Sequence, residues 1–174
     1  MNLFTKILLS AIFVAANVKA DDLPALNTVK YVEINRYLGK WYEIASFYQR
    51  FQKDCVASTA TYTLREDGDI DVLNECRLKT FDGKLKQAKG KAQVEDKVTN
   101  AKLRVSFFWP FWGKYWIIDL GKDYEYAVVG HPTREYLWIL SRTPKMDETV
   151  LNGILERLKA QHYDLSKLNR TPQP

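Results

Sequence analysis

Eight short β-rich runs, each ended by a turn signal, restrict what this chain can fold into more than any other feature. Glu66-Asp67-Gly68-Asp69, Asp82-Gly83 and Gly130-His131-Pro132 are typical turn sequences. The predicted strands are 41–47, 56–64, 70–76, 84–94, 103–108, 114–120, 126–129 and 136–141. Regularly spaced strands with short connections predict an all-β structure, either an up-and-down barrel or a sandwich.

One helix is predicted after the strands. Its apolar residues recur at helical spacing and form a single stripe, and Asp147 is placed to cap its first turn. The stripe consists of Val150, Leu151, Ile154, Leu155 and Leu158. A helix with one apolar face is expected to pack on the outside of the sheet. The tail from Asp164 to Gln173 can add a short strand.

The first twenty residues have the pattern of a secretory signal peptide. Lys6 supplies the positive start, residues 7–16 are apolar except for one serine, and Val18-Lys19-Ala20 fits a cleavage site. No cysteine follows the apolar run, so we expect no lipid anchor. The sequence predicts an exported protein, periplasmic, associated with the outer membrane, or secreted.

Residues 21–174 suit a single domain. The whole chain has a net charge of +5, and without residues 1–20 it has 24 basic against 21 acidic side chains. Nucleic-acid binding calls for a dense basic patch, and this excess is too small to supply one. We therefore expect no nucleic-acid partner.

The strand alternation raises the question of a hollow interior. Ala60, Ala88, Gly90 and Ala92 fall on faces that can point inward. Small residues there leave volume unfilled, and an empty apolar cavity costs stability unless a ligand fills it. The alternative is that they accommodate large side chains across the barrel. Composition alone leaves both interpretations open.

The segment Phe107–Trp116 is unusually aromatic for a strand, a turn and a strand. Phe107 and Tyr115 are expected to fold back into the interior by alternation. The remaining rings would form a large exposed apolar patch, which is typical of an interaction site. We interpret this patch as a ligand portal that also contacts lipid, because aromatic rings favour membrane interfaces. The portal residues are Trp109, Phe111 and Trp112.

Three segments, Asn35–Ala45, Asp123–Val129 and Tyr136–Pro144, resemble the three conserved regions of the lipocalin family. The similarity is greatest to its bacterial lipocalin (Blc) and apolipoprotein D-like group, and it extends over residues 21–174. Lys122 departs from the family pattern, where a threonine is commoner. This departure concerns the local turn and not the fold.

The resemblance implies an eight-stranded antiparallel barrel that is closed at one end and carries one external α-helix. Gly39 and Trp41 would begin the first strand, and Arg142 would cross the base and pack over the Trp41 ring. Such a desolvated cation–π contact contributes about 2 kcal/mol. We expect these three residues to be structural rather than catalytic.

Alternation and family correspondence together predict the cavity and its mouth. The connections at 48–54, 77–83, 110–113 and 131–134 would surround the open end. The predicted cavity wall consists of Tyr62, Phe107, Tyr115 and Trp138, with Ala45, Phe47, Val105 and Tyr136 as weaker candidates. The resemblance implies a fatty acid or lysophospholipid as ligand. The residues themselves show no metal-ligand cluster, and we expect no metal or cofactor. Glu43 shares the inward face of Trp41, and a structural hydrogen bond is the favoured interpretation of this carboxylate.

We predict a disulfide between Cys55 and Cys76, because an exported protein enters an oxidising compartment. Pairing Glu66 with Ile70 around the intervening turn places Cys76 opposite Ala60 and not opposite Cys55. The bond would then require a bend before Val56. Two free thiols are the alternative.

An enzyme, a haem or pigment binder and a homodimer are the alternatives to a lipid carrier. A lipocalin-type isomerase or epoxide-converting enzyme would need catalytic groups. The histidines, His131 in a loop and His162 on the predicted helix, belong to no recognisable triad or metal cluster. A haem or pigment binder lacks an axial-ligand motif. A homodimer through the aromatic segment is compatible with lipid binding.

Overall fold

The computed structural model describes residues 23–174, and the predicted signal peptide lies outside them. Nine strands form one antiparallel sheet that closes into a barrel. The strands are β1 Gly39–Phe47, β2 Cys55–Leu64, β3 Ile70–Leu78, β4 Leu85–Val94, β5 Lys102–Phe108, β6 Phe111–Leu120, β7 Tyr126–Gly130, β8 Leu137–Ser141 and β9 Leu168–Arg170. The helices are α1 Ile34–Tyr37 and α2 Glu148–Ala160.

Sequential strands pair from β2 through to β8, and β8 then pairs with β1. The barrel closes because Gly39–Tyr42 of β1 also pairs with Thr59–Tyr62 of β2. Beyond this point β9 pairs with Ala45–Phe47 of β1, so the tail does add a strand. The prediction of an eight-stranded barrel is confirmed, and β9 lies beside it.

Strand alternation separates two apolar cores. Trp41, Tyr62 and Leu140 belong to the core inside the barrel. Ile139, one residue before Leu140, packs on the other side of the sheet against α2. The helix buries its apolar stripe there through Leu151, Ile154 and Leu158. Each large side chain buried in this way contributes about 1.5–3 kcal/mol.

Polar contacts define where α2 begins and how it is held. Asp147 accepts hydrogen bonds from the backbone N–H groups of Thr149 and Val150, as its predicted capping role requires. Arg157 pairs with Asp119 on β6 at 2.7 Å. No helix in residues 23–174 is long and apolar enough to cross a membrane.

A bulge in β1 changes the direction of two predicted cavity residues. Glu43 pairs with Leu140 and Ala45 pairs with Ile139, so β1 has one extra residue, Ile44, against β8. An extra residue reverses the inside–outside alternation that follows it. Ala45 and Phe47 consequently pack in the core under α2, and their assignment to the cavity wall is wrong.

A second bulge brings the cysteines together. Leu64, and not Glu66, pairs with Ile70, so the predicted register of this hairpin is wrong by two residues. The pairing shifts again between Val56 and Thr59, which places Cys55 opposite Leu78. Cys55 and Cys76 form a disulfide, as predicted. The required bend lies within β2, after Val56 rather than before it.

Candidate functional site

The closed end of the barrel is built around Trp41, which is fully buried. The Arg142 guanidinium lies 3.7 Å from the centroid of the Trp41 ring. It donates hydrogen bonds to the carbonyl oxygens of Arg36 at 2.6 Å and Lys40 at 3.0 Å. Gly39 has a φ of +89°, in the left-handed region that favours glycine, and passes close to the same guanidinium. The predicted structural role of these residues agrees with this geometry.

Three tyrosine hydroxyls form a hydrogen-bonded chain directly above this base. The Tyr115 hydroxyl is 2.7 Å from that of Tyr37 and 2.9 Å from that of Tyr62. Tyr37 ends α1, and its carbonyl oxygen accepts a hydrogen bond from Trp41 Nε1. The chain thus connects α1, β2 and β6. We call these three residues the tyrosine floor.

Burial governs the protonation of the tyrosine floor. It raises the pKa of Tyr62 to about 12, and it also raises the pKa values of Tyr37 and Tyr115. Desolvation disfavours a charged phenolate inside an apolar barrel. All three hydroxyls therefore carry their protons at neutral pH and can donate as well as accept hydrogen bonds.

Above the floor, several apolar side chains belong to the barrel interior without being fully covered. Val105, Phe107 and Trp138 pack against the interior core yet are only partly buried, as is Tyr115 of the floor itself. The Phe107 ring lies across Gly90, where an added Cβ would come within 2.7 Å of it. Ala88, two residues closer to the mouth on β4, is exposed. The upper inner wall therefore presents uncovered apolar surface.

A polar chain crosses the mouth. Gln52, in a short turn of 3-10 helix between β1 and β2, accepts a hydrogen bond from Trp138 Nε1 at 3.2 Å. Its amide nitrogen donates to Glu43 at 2.6 Å. Ser46 and Thr171 also donate to Glu43, so this buried carboxylate has the structural hydrogen bonds that were expected. The connection between β1 and β2 is thereby tied to the inner wall.

The aromatic hairpin between β5 and β6 lies at the rim. Phe108, Trp109 and Phe111 are 81%, 85% and 76% exposed, so the predicted apolar patch is present. Trp112 is partly buried instead, with the Arg104 guanidinium 4.5 Å from its ring centroid. A groove of about 280 Å³ lies between Trp109, Trp112 and the outer side of β4, and Phe107 contributes to both groove and interior.

A larger groove of about 380 Å³ lies outside the barrel, between β1, the start of α2 and the C-terminal tail.

Within residues 23–174, no cluster of three or more His, Cys, Asp or Glu side chains could hold a metal ion.

Residues 32–173 match the family description "Lipocalin-like domain". The chain belongs to the lipocalin family. Members of this family are generally barrel proteins that bind or carry small hydrophobic ligands. The interior of this lipocalin is therefore the expected place for a ligand.

Curated relatives match over most of their length. Temperature-induced lipocalin-1 of Arabidopsis thaliana is 44% identical over 157 residues, which covers 85% of this lipocalin and 83% of the relative. Outer membrane lipoprotein Blc of Escherichia coli (strain K12) is 42% identical and covers 86% and 84%. Apolipoprotein D of Bos taurus is 35% identical and covers 81% and 77%. These matches confirm the resemblance found in the sequence motifs.

Solved structures confirm the fold. Insecticyanin of the tobacco hornworm Manduca sexta superposes with a TM-score of 0.69 at 19% identity, over 87% of this lipocalin and 86% of insecticyanin. The cockroach allergen Per a 4 superposes with a TM-score of 0.65 at 21% identity, over 88% and 97%. At these identities the likeness concerns the architecture alone.

The structure brings most predicted wall residues together. Tyr62, Val105, Phe107, Tyr115 and Trp138 all belong to the interior group. Tyr136 lies at the rim, 37% exposed, with its ring stacked on that of Trp138. Their roles in ligand binding stay predictions.

Sequence reasoning missed two polar members of the site. Tyr37 lies in α1, before the first strand, where strand alternation gives no information. Gln52 lies in the connection after β1. The sequence offered no positional signal for the first, because Tyr37 ends α1 while Trp41 already belongs to β1. No sequence signal identified Gln52.

Proposed function

We propose that this lipocalin is a lipid carrier that holds a fatty acid or lysophospholipid in its barrel. The acyl chain enters the interior and the polar head stays at the mouth. Transfer of the chain from water into an apolar cavity contributes about 0.8 kcal/mol per buried methylene group. Binding of the chain therefore needs no catalytic group and no cofactor.

The observation that carries the proposal is the incomplete burial of the interior side chains. Phe107, Tyr115 and Trp138 pack with the interior core but keep part of their surface uncovered. Uncovered apolar surface is unfavourable in water, and an acyl chain would cover it. Similarity to a relative named outer membrane lipoprotein Blc also supports a function at a lipid surface.

Cations near the mouth suit a phosphate or carboxylate head. Arg50, Lys53 and Lys84 are exposed in connections at this end. Lys114 and Arg134 are occupied differently, because Lys114 pairs with Glu95 at 2.9 Å and Arg134 donates to the carbonyl of Gln161 at 2.6 Å. The first three cations are therefore the better candidates for the head group.

Trp138→Arg tests the cavity assignment. We expect at least a tenfold loss of affinity for palmitic acid and for palmitoyl lysophosphatidylcholine, because the substitution places a charge on the apolar inner wall. Isothermal titration calorimetry measures the affinity, and circular dichroism verifies that the barrel persists. Tyr31→Arg introduces the same charge at a site that is 58% exposed, and it should bind like the wild type.

Unchanged acyl affinity in Trp138→Arg would contradict the proposed cavity wall. If the wild-type protein bound neither palmitic acid nor the lysophospholipid, the carrier function itself would be wrong. An isomerase, an epoxide-converting enzyme or a haem or pigment binder would then become the hypotheses to examine.

The exposed hairpin favours a second activity, peripheral attachment to a membrane. Phe108, Trp109 and Phe111 extend from the same end of the barrel as the exposed cations. Aromatic rings accumulate at the lipid headgroup level, and nearby cations are attracted to anionic lipid. Docking of this end would place the mouth against the source of its ligand.

Vesicle co-sedimentation tests the attachment. The Trp109→Ser/Phe111→Ser double variant should lose most of its binding to phosphatidylethanolamine–phosphatidylglycerol vesicles. Val98→Ser removes an apolar residue that is 84% exposed at the closed end, and it should bind as the wild type does. Equal sedimentation of all three proteins would contradict the proposal. Light scattering tests for a homodimer through the hairpin instead. A homodimer is indicated if the apparent mass of the wild type rises with protein concentration and that of the double variant does not.

The disulfide and the relatives support an exported protein. Disulfides persist in oxidising compartments such as the periplasm or the cell exterior. We therefore propose that the chain works in the periplasm, at the outer membrane or outside the cell. Proteinase accessibility in intact cells and spheroplasts distinguishes these locations.

A further inference from the structure

The hydrogen bonds of the tyrosine floor do not use all of its donors. Tyr37, Tyr62 and Tyr115 carry three hydroxyl hydrogens, and two hydrogen bonds join the three oxygens. Whichever hydroxyl donates in each of the two hydrogen bonds, each bond uses one hydrogen, and one of the three O–H groups is left without an acceptor. Among residues 23–174, these three hydroxyls make no other hydrogen bond.

A donor left over in this place is costly. Tyr37 is 2% exposed and Tyr62 is 7% exposed, and the third residue of the floor, Tyr115, is partly buried. A buried donor without an acceptor loses about 1–3 kcal/mol of solvation. Trp41 and α1 lie beneath the floor, so a partner for this donor would have to come from the barrel interior.

The chemistry of the floor limits what its partner can be. The hydroxyls are neutral, and the Arg142 guanidinium lies behind Trp41, where it is engaged with backbone carbonyls. A carboxylate on the floor would lack a direct counter-ion, and burying it would cost far more than burying a neutral oxygen. Uncharged oxygen atoms, in hydroxyl or carbonyl groups, are the acceptors that fit.

We propose that the tyrosine floor is a polar subsite, and that the preferred ligand is an oxygenated lipid with a hydroxyl or carbonyl group at its buried end. This inference rests on the proposed carrier function and names its ligand class more closely. The ligand is polar at both ends, with an anionic or zwitterionic head at the mouth and a neutral oxygen on the floor. Asn74, on the inner face of β3 opposite Ala60, has a buried oxygen without a partner, Oδ1, which can accept from a hydroxyl partway along the acyl chain.

The test compares saturated fatty acids with their ω-hydroxy counterparts at several matched chain lengths, by calorimetry. At the length that binds most tightly, the wild type should bind the hydroxy acid at least as tightly as the parent acid. In the triple variant Tyr37→Phe/Tyr62→Phe/Tyr115→Phe, the hydroxy acid should bind about tenfold or more weakly than the parent, because its hydroxyl is buried unpaired. Tyr163→Phe removes a buried hydroxyl beneath α2 and should leave the ratio unchanged.

Infrared spectroscopy of a bound ω-1 keto acid gives a second measurement that needs no variant. The stretch of its ketone carbonyl should lie at lower wavenumber in the protein than for the same compound in hexane, because the bound ketone accepts a hydrogen bond. Three outcomes would overturn the subsite. The wild type could bind the parent acids about tenfold more tightly than the hydroxy acids, or the ratio of the two affinities could be the same in the triple variant as in the wild type. The third outcome is an unshifted ketone stretch. Absence of binding by both series would instead overturn the carrier function.

Discussion

A single guanidinium connects the parts of the closed end. Arg142 covers the indole of Trp41 and donates to carbonyls of α1 and β1. It also donates to the Tyr124 carbonyl, in the connection between β6 and β7. Segments far apart in the chain therefore meet at one side chain. Arginine suits this task because its planar fork presents several donors at once.

Replacing Arg142 tests this role. Arg142→Ala should lower the free energy of unfolding by about 2–4 kcal/mol, because the cation–π contact and the carbonyl partners are lost together. Arg142→Lys keeps the charge but lacks the planar fork, so its free energy of unfolding should lie between those of the wild type and Arg142→Ala. Urea denaturation measures these differences. Lys122→Ala, at an exposed position, serves as the control and should have almost no effect.

Ligand affinity separates structure from function at this residue. Palmitic acid should bind folded Arg142→Ala as it binds the wild type, since the guanidinium lies beneath Trp41 and outside the proposed cavity. A stable Arg142→Ala protein, or one that folds but loses the fatty acid, would contradict a purely structural role.

At the scale of the elements, bulges decide what each strand presents to its neighbours. The extra residue Ile44 in β1 turns Ala45 and Phe47 away from the interior. The irregularity after Val56 in β2 lets Cys55 reach Cys76 across the hairpin. Strand positions could be predicted because turn residues and alternation are local signals. A bulge has no comparable signal, since it is selected by the packing of both partner strands.

The disulfide supplies a prediction for the β2–β3 hairpin. The bond spans 21 residues, and closing a loop of this length stabilises the protein by roughly 3 kcal/mol. Reduction, or the Cys55→Ala/Cys76→Ala pair, should lower the urea midpoint accordingly. Reductant should have no effect on the double variant. Two alkylatable thiols in the protein purified without reductant would show by mass spectrometry that the bond is absent.

At the scale of the whole molecule, barrel closure brings together groups that no single element contains. Tyr37, Tyr62 and Tyr115 are far apart in sequence and meet at the floor. Their raised pKa values are a property of the closed interior, because desolvation is the first cause in each case. Stability of the whole fold should therefore depend on alkaline pH through these phenols.

Burial raises the pKa of Tyr62 from 10.0 to about 12, so the unfolded chain loses this proton at lower pH than the folded protein. The stabilisation is complete below pH 10 and is lost as the pH rises towards 12. Over this range the wild type should lose ~3 kcal/mol more unfolding free energy than Tyr62→Phe. Tyr31→Phe, at an exposed site, should follow the wild type. Urea denaturation at several pH values measures the difference, and identical slopes for all three proteins would contradict it.

The eight barrel strands, the capped outer helix and the packing of Arg142 on Trp41 could all be predicted before the fold was known. These features follow from short-range patterns of turns and alternation, and from motifs that resemble the lipocalins. The outward direction of Ala45 and Phe47 and the assembly of the tyrosine floor became visible only in the folded barrel. The physical reason is that bulges and buried hydroxyl networks depend on which distant strands become neighbours when the barrel closes.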